Sequence, residues 1–182
     1  MSGPAPVRPA LAAVLLATGL AIGLPSSEPV LASGAWPGGF GEDGLPSGTQ
    51  APAFAAVDLD GAAQQLTQYQ GSLLVLHFWA TWCPYCRGEI PKLKIVRQAW
   101  ASRGVRVLAV SVDADPQALK RFVAQAALPY PVIADLEAHF ALADAYRVSG
   151  IPITYLIGPD GRIAERLDGA ADILGAVERL RP

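Results

Sequence analysis

Leu73-Leu74-Val75-Leu76-His77-Phe78-Trp79-Ala80 runs through Thr81-Trp82 into Cys83-Pro84-Tyr85-Cys86, and a longer polar–apolar segment follows as far as Gly104. The first eight residues are nearly all apolar, as a central strand buried on both faces should be. Pro84 suits the first position of a helix, where its missing N–H would have no partner in any case. The pattern predicts a helix over 84–102, stopped by Gly104. Both cysteines of the chain therefore stand where a buried strand hands over to a helix. Cys83 would be the N-cap and Cys86 would lie one turn inside. Free backbone N–H groups and the positive end of the helix dipole favour an anion at that position. The thiolate is the reactive form of cysteine. Cys83 is thus expected to ionise more readily than a free thiol, and Cys86, beneath it, less readily. The spacing brings the two sulfurs within bonding reach. Two inert buried cysteines are the plainer alternative, but they would leave the strand–Trp82–Cys-x-x-Cys–helix context unexplained.

Composition argues the same way. A chain of 182 residues, 52% of them hydrophobic, buries an ordinary core without disulfide staples. A bridge across so short a loop removes little unfolded-chain entropy. Two Cys with the distant His77 and His139 show no zinc-finger spacing. No metal site is expected, nor any cofactor beyond a redox-active Cys83–Cys86 pair. A formal net charge of −2, without a basic run, gives no reason to expect nucleic acid.

Outward from the cysteines, Phe54 to Leu59 alternates like a strand, and Asp60-Gly61 signals a hairpin into a second strand ending near Leu66. Val105 to Val112 reads as a parallel strand. Asp115-Pro116 opens a helix to about Ala127. Pro131 to Ala134 is a short strand, and Asp135 caps a helix reaching Tyr146. Ile153 to Ile157 and Arg162 to Arg166 flank the turn Pro159-Asp160-Gly161. Ala171 to Leu180 is a closing amphipathic helix. The expected fold class is α/β, a central mixed sheet with helices on both faces and an N-terminal β-hairpin extension.

Residues 1–32 read as an export signal. Arg8 precedes an uncharged apolar run from Pro9 to Leu24, and Val30-Leu31-Ala32 offers a cleavage site. The run is shorter than the roughly 18–20 residues of a comfortable spanning helix. A cleaved signal is preferred, with a retained anchor through residues 9–24 as the alternative. Residues 33–50, rich in Gly, Pro and Ser, read as a flexible linker, and residues 51–182 as the folded domain.

Phe78 to Pro91, with its Trp82-Cys83-Pro84-Tyr85-Cys86 centre, resembles the active-site block of the thioredoxin-like TlpA/ResA/DsbE family. Ala51-Pro52-Ala53-Phe54 resembles that family's domain opening. Tyr146 to Pro152, with Ile153-Thr154-Tyr155-Leu156-Ile157, resembles its second signature. The resemblance runs from Ala51 to the end of the chain. It implies a thioredoxin-like fold and an extracytoplasmic, periplasmic thiol–disulfide oxidoreductase, expected as a monomer. It implies a cis Ile151–Pro152 bond facing the cysteines, a minority form kept where a turn needs it. Trp82, Pro84, Tyr85 and Ile151 would surround the substrate, and Pro91 would kink the active-site helix. Glu89 matches a position where an acid tunes the cysteines, against the alternative of a solvated first-turn Glu beside the dipole. His77 takes the place where thioredoxins carry a buried acid. It is either a proton shuttle or a satisfied core histidine. His139 is expected to be structural or exposed. One departure stands out. Relatives often place Pro immediately before the second cysteine, and here Tyr85 stands there, which leaves the direction of electron flow open.

The expected reaction is reduction of client disulfides. Cys83 attacks, Cys86 resolves the mixed disulfide, and a membrane electron donor recharges the pair. Clients of the cytochrome c maturation or copper-site assembly type are implied by the resemblance. Three rivals remain: a disulfide oxidase or isomerase, a peroxidase (the domain opening also occurs in peroxiredoxins), and a copper-binding thioredoxin-like chaperone. A redox-silent interaction module would leave the cysteine pair without a role.

Overall fold

A computed structural model of the chain describes residue 3 and residues 44–181, with residue 139 omitted. The expected signal and the first part of the expected linker, like His139, fall outside the described residues. The elements in order are β1 (Ala55–Val57), β2 (Ala63–Gln65), β3 (Leu73–Trp79), α1 (Pro84–Trp100), β4 (Val105–Ser111), α2 (Pro116–Ala126), β5 (Val132–Ala134), α3 (Ala141–Ala145), β6 (Ile153–Ile157), β7 (Ile163–Asp168) and α4 (Ile173–Leu180).

The long strands order as β5-β4-β3-β6-β7. β3, β4 and β5 run parallel, whereas β6 is antiparallel to β3 and β7 to β6. All seven residues of β3 are buried, as its unbroken apolar run requires of a strand covered on both sides. β1 and β2 form a separate antiparallel hairpin, joined to the β5 edge where Leu59 N donates to Val132 O.

Alternate residues of β3 feed two cores. Leu73, Val75 and Trp79 pack with Leu93 and Val96 of α1, Leu119 of α2 and Ile173 and Val177 of α4. Leu74, Leu76 and Phe78 pack with Leu142 and Tyr146 at α3 and with the segment around Leu45 and Ala51. The helix termini follow their sequence signals. Asp115 caps α2 by accepting from Gln117 N and Ala118 N. Gly104 takes a left-handed φ of 75° after a short 3₁₀ turn that ends α1 at Trp100. Pro91 stands inside α1, which continues through it.

Two expectations about boundaries change. Residues 44–50, read as linker, are part of the packed domain. Gly48 N donates to Ile163 O, Ile163 N donates to Thr49 O, and buried Leu45 donates its N–H to the Tyr155 hydroxyl. Composition rich in Gly, Pro and Ser did not prevent this, because a sheet edge is paired through backbone groups. The helix expected from Asp135 to Tyr146 is divided at Phe140, whose φ is +60°. A 3₁₀ turn covers Asp135–Ala138, and the Asp135 carboxylate reaches forward to cap α3, accepting from Leu142 N and Ala143 N.

Candidate active site

Cys83 and Cys86 are joined by a disulfide with their Cα atoms 5.3 Å apart. The pair sits at the C-terminal end of β3 and the start of α1. Cys83 is the N-cap, with extended backbone and Pro84 directly after it. The N–H of Cys86 points at the Cys83 sulfur, 3.2 Å away. Cys83 keeps 5% of its surface accessible and Cys86 keeps none. Of the two cysteines, only Cys83 keeps surface that a partner arriving from solvent can reach. Its sulfur has the helix N-terminus behind it, which favours the anion once the pair is reduced.

The surface around Cys83 is open and apolar. Trp82 is 65% exposed and Tyr85 70% exposed, unusual for rings of that size. A groove of about 320 Å³ lies beside Trp82, bordered by Val112, Phe140, Ala143, Val148 and Ile151, with Asp144 as its one acidic side chain. The Ile151–Pro152 peptide bond is cis. Ile151 is shared between this groove and a second hollow toward Arg166 and Asp168, so the Ser149–Pro152 loop is the wall between them. A 570 Å³ recess elsewhere, lined by residues such as Gln50, Phe54 and Leu66, has no charged side chain in its wall and lies away from the cysteines.

A buried polar cluster lies between α1 and β3. Glu89 is 1% exposed and in the second turn of α1, so it is not the solvated first-turn residue of the alternative reading. Its Oε1 accepts from Ala171 N at 3.1 Å, and its Oε2 has no hydrogen-bond partner. Burial pushes its carboxyl above the usual range, against smaller opposing effects from the Ala171 N–H and from Lys92. His77 is equally buried. Its Nδ1 lies 2.9 Å from Thr154 Oγ1 and 3.8 Å from Glu89 Oε2, while Nε2 has no partner. Burial lowers the imidazole from 6.5 to about 3, so it is neutral at physiological pH. His77 is thus a core histidine with only one nitrogen engaged.

A carboxylate that sequence reasoning passed over supports the turn before Cys83. Asp113, 4% exposed, accepts from Thr81 N at 2.9 Å, from Thr81 Oγ1 at 2.6 Å and from Ser111 Oγ at 2.6 Å. Its available signal was position alone, just past the carboxyl end of a parallel strand, where open α/β sheets build sites. Among the described residues no cluster of three His, Cys, Asp or Glu side chains is arranged to hold a metal.

Comparison with known proteins agrees with this geometry. The AhpC/TSA family pattern matches residues 47–166. The thiol-disulfide oxidoreductase ResA of Bacillus subtilis is 32% identical over 129 residues, covering 71% of each chain. ResA of Geobacillus thermodenitrificans is 31% identical, covering 74% of this chain and 78% of its own. Among solved structures, a thiol:disulfide interchange protein of the thioredoxin family from Chlorobium tepidum superposes with a TM-score of 0.64 at 29% identity, covering 75% of this chain and 97% of that one. A thiol:disulfide interchange protein from Bacteroides sp. gives 0.66 at 26% identity, covering 74% and 90%. With a closable cysteine pair at the strand-to-helix junction and relatives of this kind across the folded region, the chain belongs to the AhpC/TSA family, among its thioredoxin-like thiol-disulfide oxidoreductases.

Proposed function

We propose that the protein is an exported reductase of client-protein disulfides, with Cys83 as attacking sulfur, Cys86 as resolving sulfur and Glu89 as proton acceptor for Cys86. The observation that carries this is the asymmetry of the pair. Cys83 has the accessible surface, the helix N-terminus and the Cys86 N–H, whereas Cys86 is sealed beneath it and three residues from buried Glu89 on the same helix.

The Cys83 thiolate attacks a client disulfide. A Cys83–client bond forms and one client thiolate leaves. Cys86 passes its proton to the Glu89 carboxylate, and its thiolate attacks the Cys83 sulfur. The second client thiolate leaves and takes a proton. The client gains two electrons, and the enzyme is left as the Cys83–Cys86 disulfide. No other redox group takes part. An upstream thiol donor, membrane-bound by the family resemblance, returns the pair to the dithiol. The apolar groove beside Trp82 suits an extended client segment with a large apolar residue near its cysteine. Export follows from the N-terminal apolar run. The resemblance favours clients of the cytochrome c maturation or copper-site assembly type.

Cys86→Ser should trap clients as mixed disulfides, and Cys83→Ser should not. Equal trapping by both variants, or by neither, overturns the assignment. Tyr85 before Cys86 keeps an oxidase reading alive. A reduction potential nearer that of strong periplasmic oxidants than that of thioredoxin would favour it.

A further inference from the structure

We infer that His77 is a positioning residue for Glu89, presenting Nδ1 to the free carboxylate oxygen so that the two side chains hold between them the proton that leaves Cys86. The inference rests on the proposed role of Glu89 and adds a second residue to it.

Cys86 and Glu89 are three residues apart in α1 and both fully buried, so they occupy one inward face of the helix. That face lies on the side of the sheet where Val75 and Trp79, two residues either way from His77, pack with α1. His77 and Thr154 are directly opposite each other in the β3–β6 ladder. Their side-chain contact holds the imidazole in place. The Ala171 N–H holds Glu89 by Oε1, leaving Oε2 toward Nδ1 at 3.8 Å, too long for a hydrogen bond. Each side chain thus keeps an unpartnered polar atom inside the core: Oε2 of Glu89 and Nε2 of His77. Buried polar atoms in natural structures are nearly always paired, and the exceptions mark places where something arrives. Here the arriving species is the Cys86 proton. Protonated Glu89 needs no counter-charge. Ionised Glu89 is favoured by the Ala171 N–H on Oε1 and by Lys92, and Nδ1 of His77 is the titratable group that faces the other oxygen, Oε2.

Of the other charged groups around the pair, Lys92 acts on Glu89 through space and favours its ionised form, while each also has a hydrogen-bond partner of its own. Lys92 of α1 donates to Ala171 O. Asp172, before α4, accepts from Gly175 N. Asp113, past the end of β4, is held by Thr81 and Ser111. Thr154 is the facing group from β6, and Cys83 and Cys86 face from the start of α1.

The test is a double-mutant cycle read as pH profiles. Single-turnover resolution of a mixed disulfide with a small-molecule thiol is timed from pH 5 to 9 in the wild type, His77→Asn, Glu89→Gln and the double variant. His77→Asn should shift the profile by about half a pH unit, roughly threefold in rate on its steep limb. In the Glu89→Gln background it should shift nothing. Superimposable wild-type and His77→Asn profiles overturn the inference, as does an equal shift in both backgrounds. If His77→Asn does not fold, Thr154→Val, which frees the imidazole, should shift the profile while Glu89→Gln/Thr154→Val does not. Failure of the underlying reading looks different: Glu89→Gln alone would then leave the wild-type profile unchanged.

Discussion

The hydroxyl of Thr81 donates to Asp113 Oδ1 at 2.6 Å, across 32 residues of sequence, and ties the turn that carries Trp82 and Cys83 to the end of β4. The Thr81 N–H donates to the same carboxylate. One buried acid therefore fixes both the main chain and the side chain of the residue two before the attacking sulfur. Asp113→Ala would leave the Thr81 and Ser111 donors without their acceptor. The expected cost is about 2–4 kcal/mol in urea unfolding, because donors to a buried charge lose more than those to a neutral group. Reductase turnover should fall about ten- to a hundredfold beyond any unfolding, since an angstrom of misplacement at a reacting atom can cost about a hundredfold. Full turnover in the folded variant would show that the turn needs no such support.

The groove beside Trp82 has consequences for selectivity. Trp82→Ala removes the largest exposed side chain of its wall and leaves the cysteines in place. Reduction of a protein client should weaken about five- to thirtyfold in kcat/KM, the range for losing an interface anchor of 1–2 kcal/mol. Reaction with glutathione disulfide, too small to span the groove, should change less than twofold. Equal losses for both substrates would mean that Trp82 acts on the sulfur rather than on the client.

How much of this was legible from the chain depends on the range of the interaction. β3, α1 and the β6–β7 hairpin announce themselves locally, through an unbroken apolar run, Pro84 after Cys83, and Pro159-Asp160-Gly161 between two strands. The position of the cysteine pair at the strand-to-helix junction follows from the same local pattern, with Cys83 the more accessible of the two. The misreadings are non-local. The 44–50 segment has a composition that reads as loose, yet its backbone pairs with the edge of β7, and composition carries no signal of an available edge. Phe140, where the expected helix is divided, has a left-handed φ and a partly buried side chain packed against the core, and local periodicity carries no signal of either. Thr154 and Asp113 became site residues only when the sheet brought them beside His77 and Thr81.

The buried His77–Glu89 pair also predicts opposite pH signatures for two variants of the oxidised protein. His77 is lowered from 6.5 to about 3 on folding. Such a group contributes stability that is present above pH 6.5 and lost as pH falls toward 3, on the order of a few kcal/mol in total. His77→Asn should therefore flatten the acid limb of the stability curve. Glu89 is raised on folding from 4.5. Its ionisation costs the folded state nothing below pH 4.5, and the cost grows as pH climbs through the raised value. Glu89→Gln should stabilise the protein at neutral and alkaline pH, with the gain vanishing in acid. Urea midpoints across pH 3 to 9 check both. Parallel curves for wild type and Glu89→Gln would refute the reading of Glu89 as a buried acid.

The Tyr155 hydroxyl offers a separate test of where the domain begins. It donates to Tyr146 O at 2.7 Å and accepts from Leu45 N at 3.1 Å, so one oxygen joins β6, the residue after α3 and the 44–50 segment. Its ring packs on Phe78 and Tyr146 and would stay in place in Tyr155→Phe. That variant loses two buried hydrogen bonds without leaving a cavity. It should cost about 1–3 kcal/mol, with a buried N–H and a buried carbonyl left unpaired. If the segment is part of the cooperative unit, deleting residues 1–50 should cost at least as much, and Tyr155→Phe should then add less than it does in the full chain. If the deletion leaves the midpoint unchanged and the Tyr155→Phe cost is undiminished, the segment lies outside the folding unit. The two expected results together would place the start of the domain before Ala51.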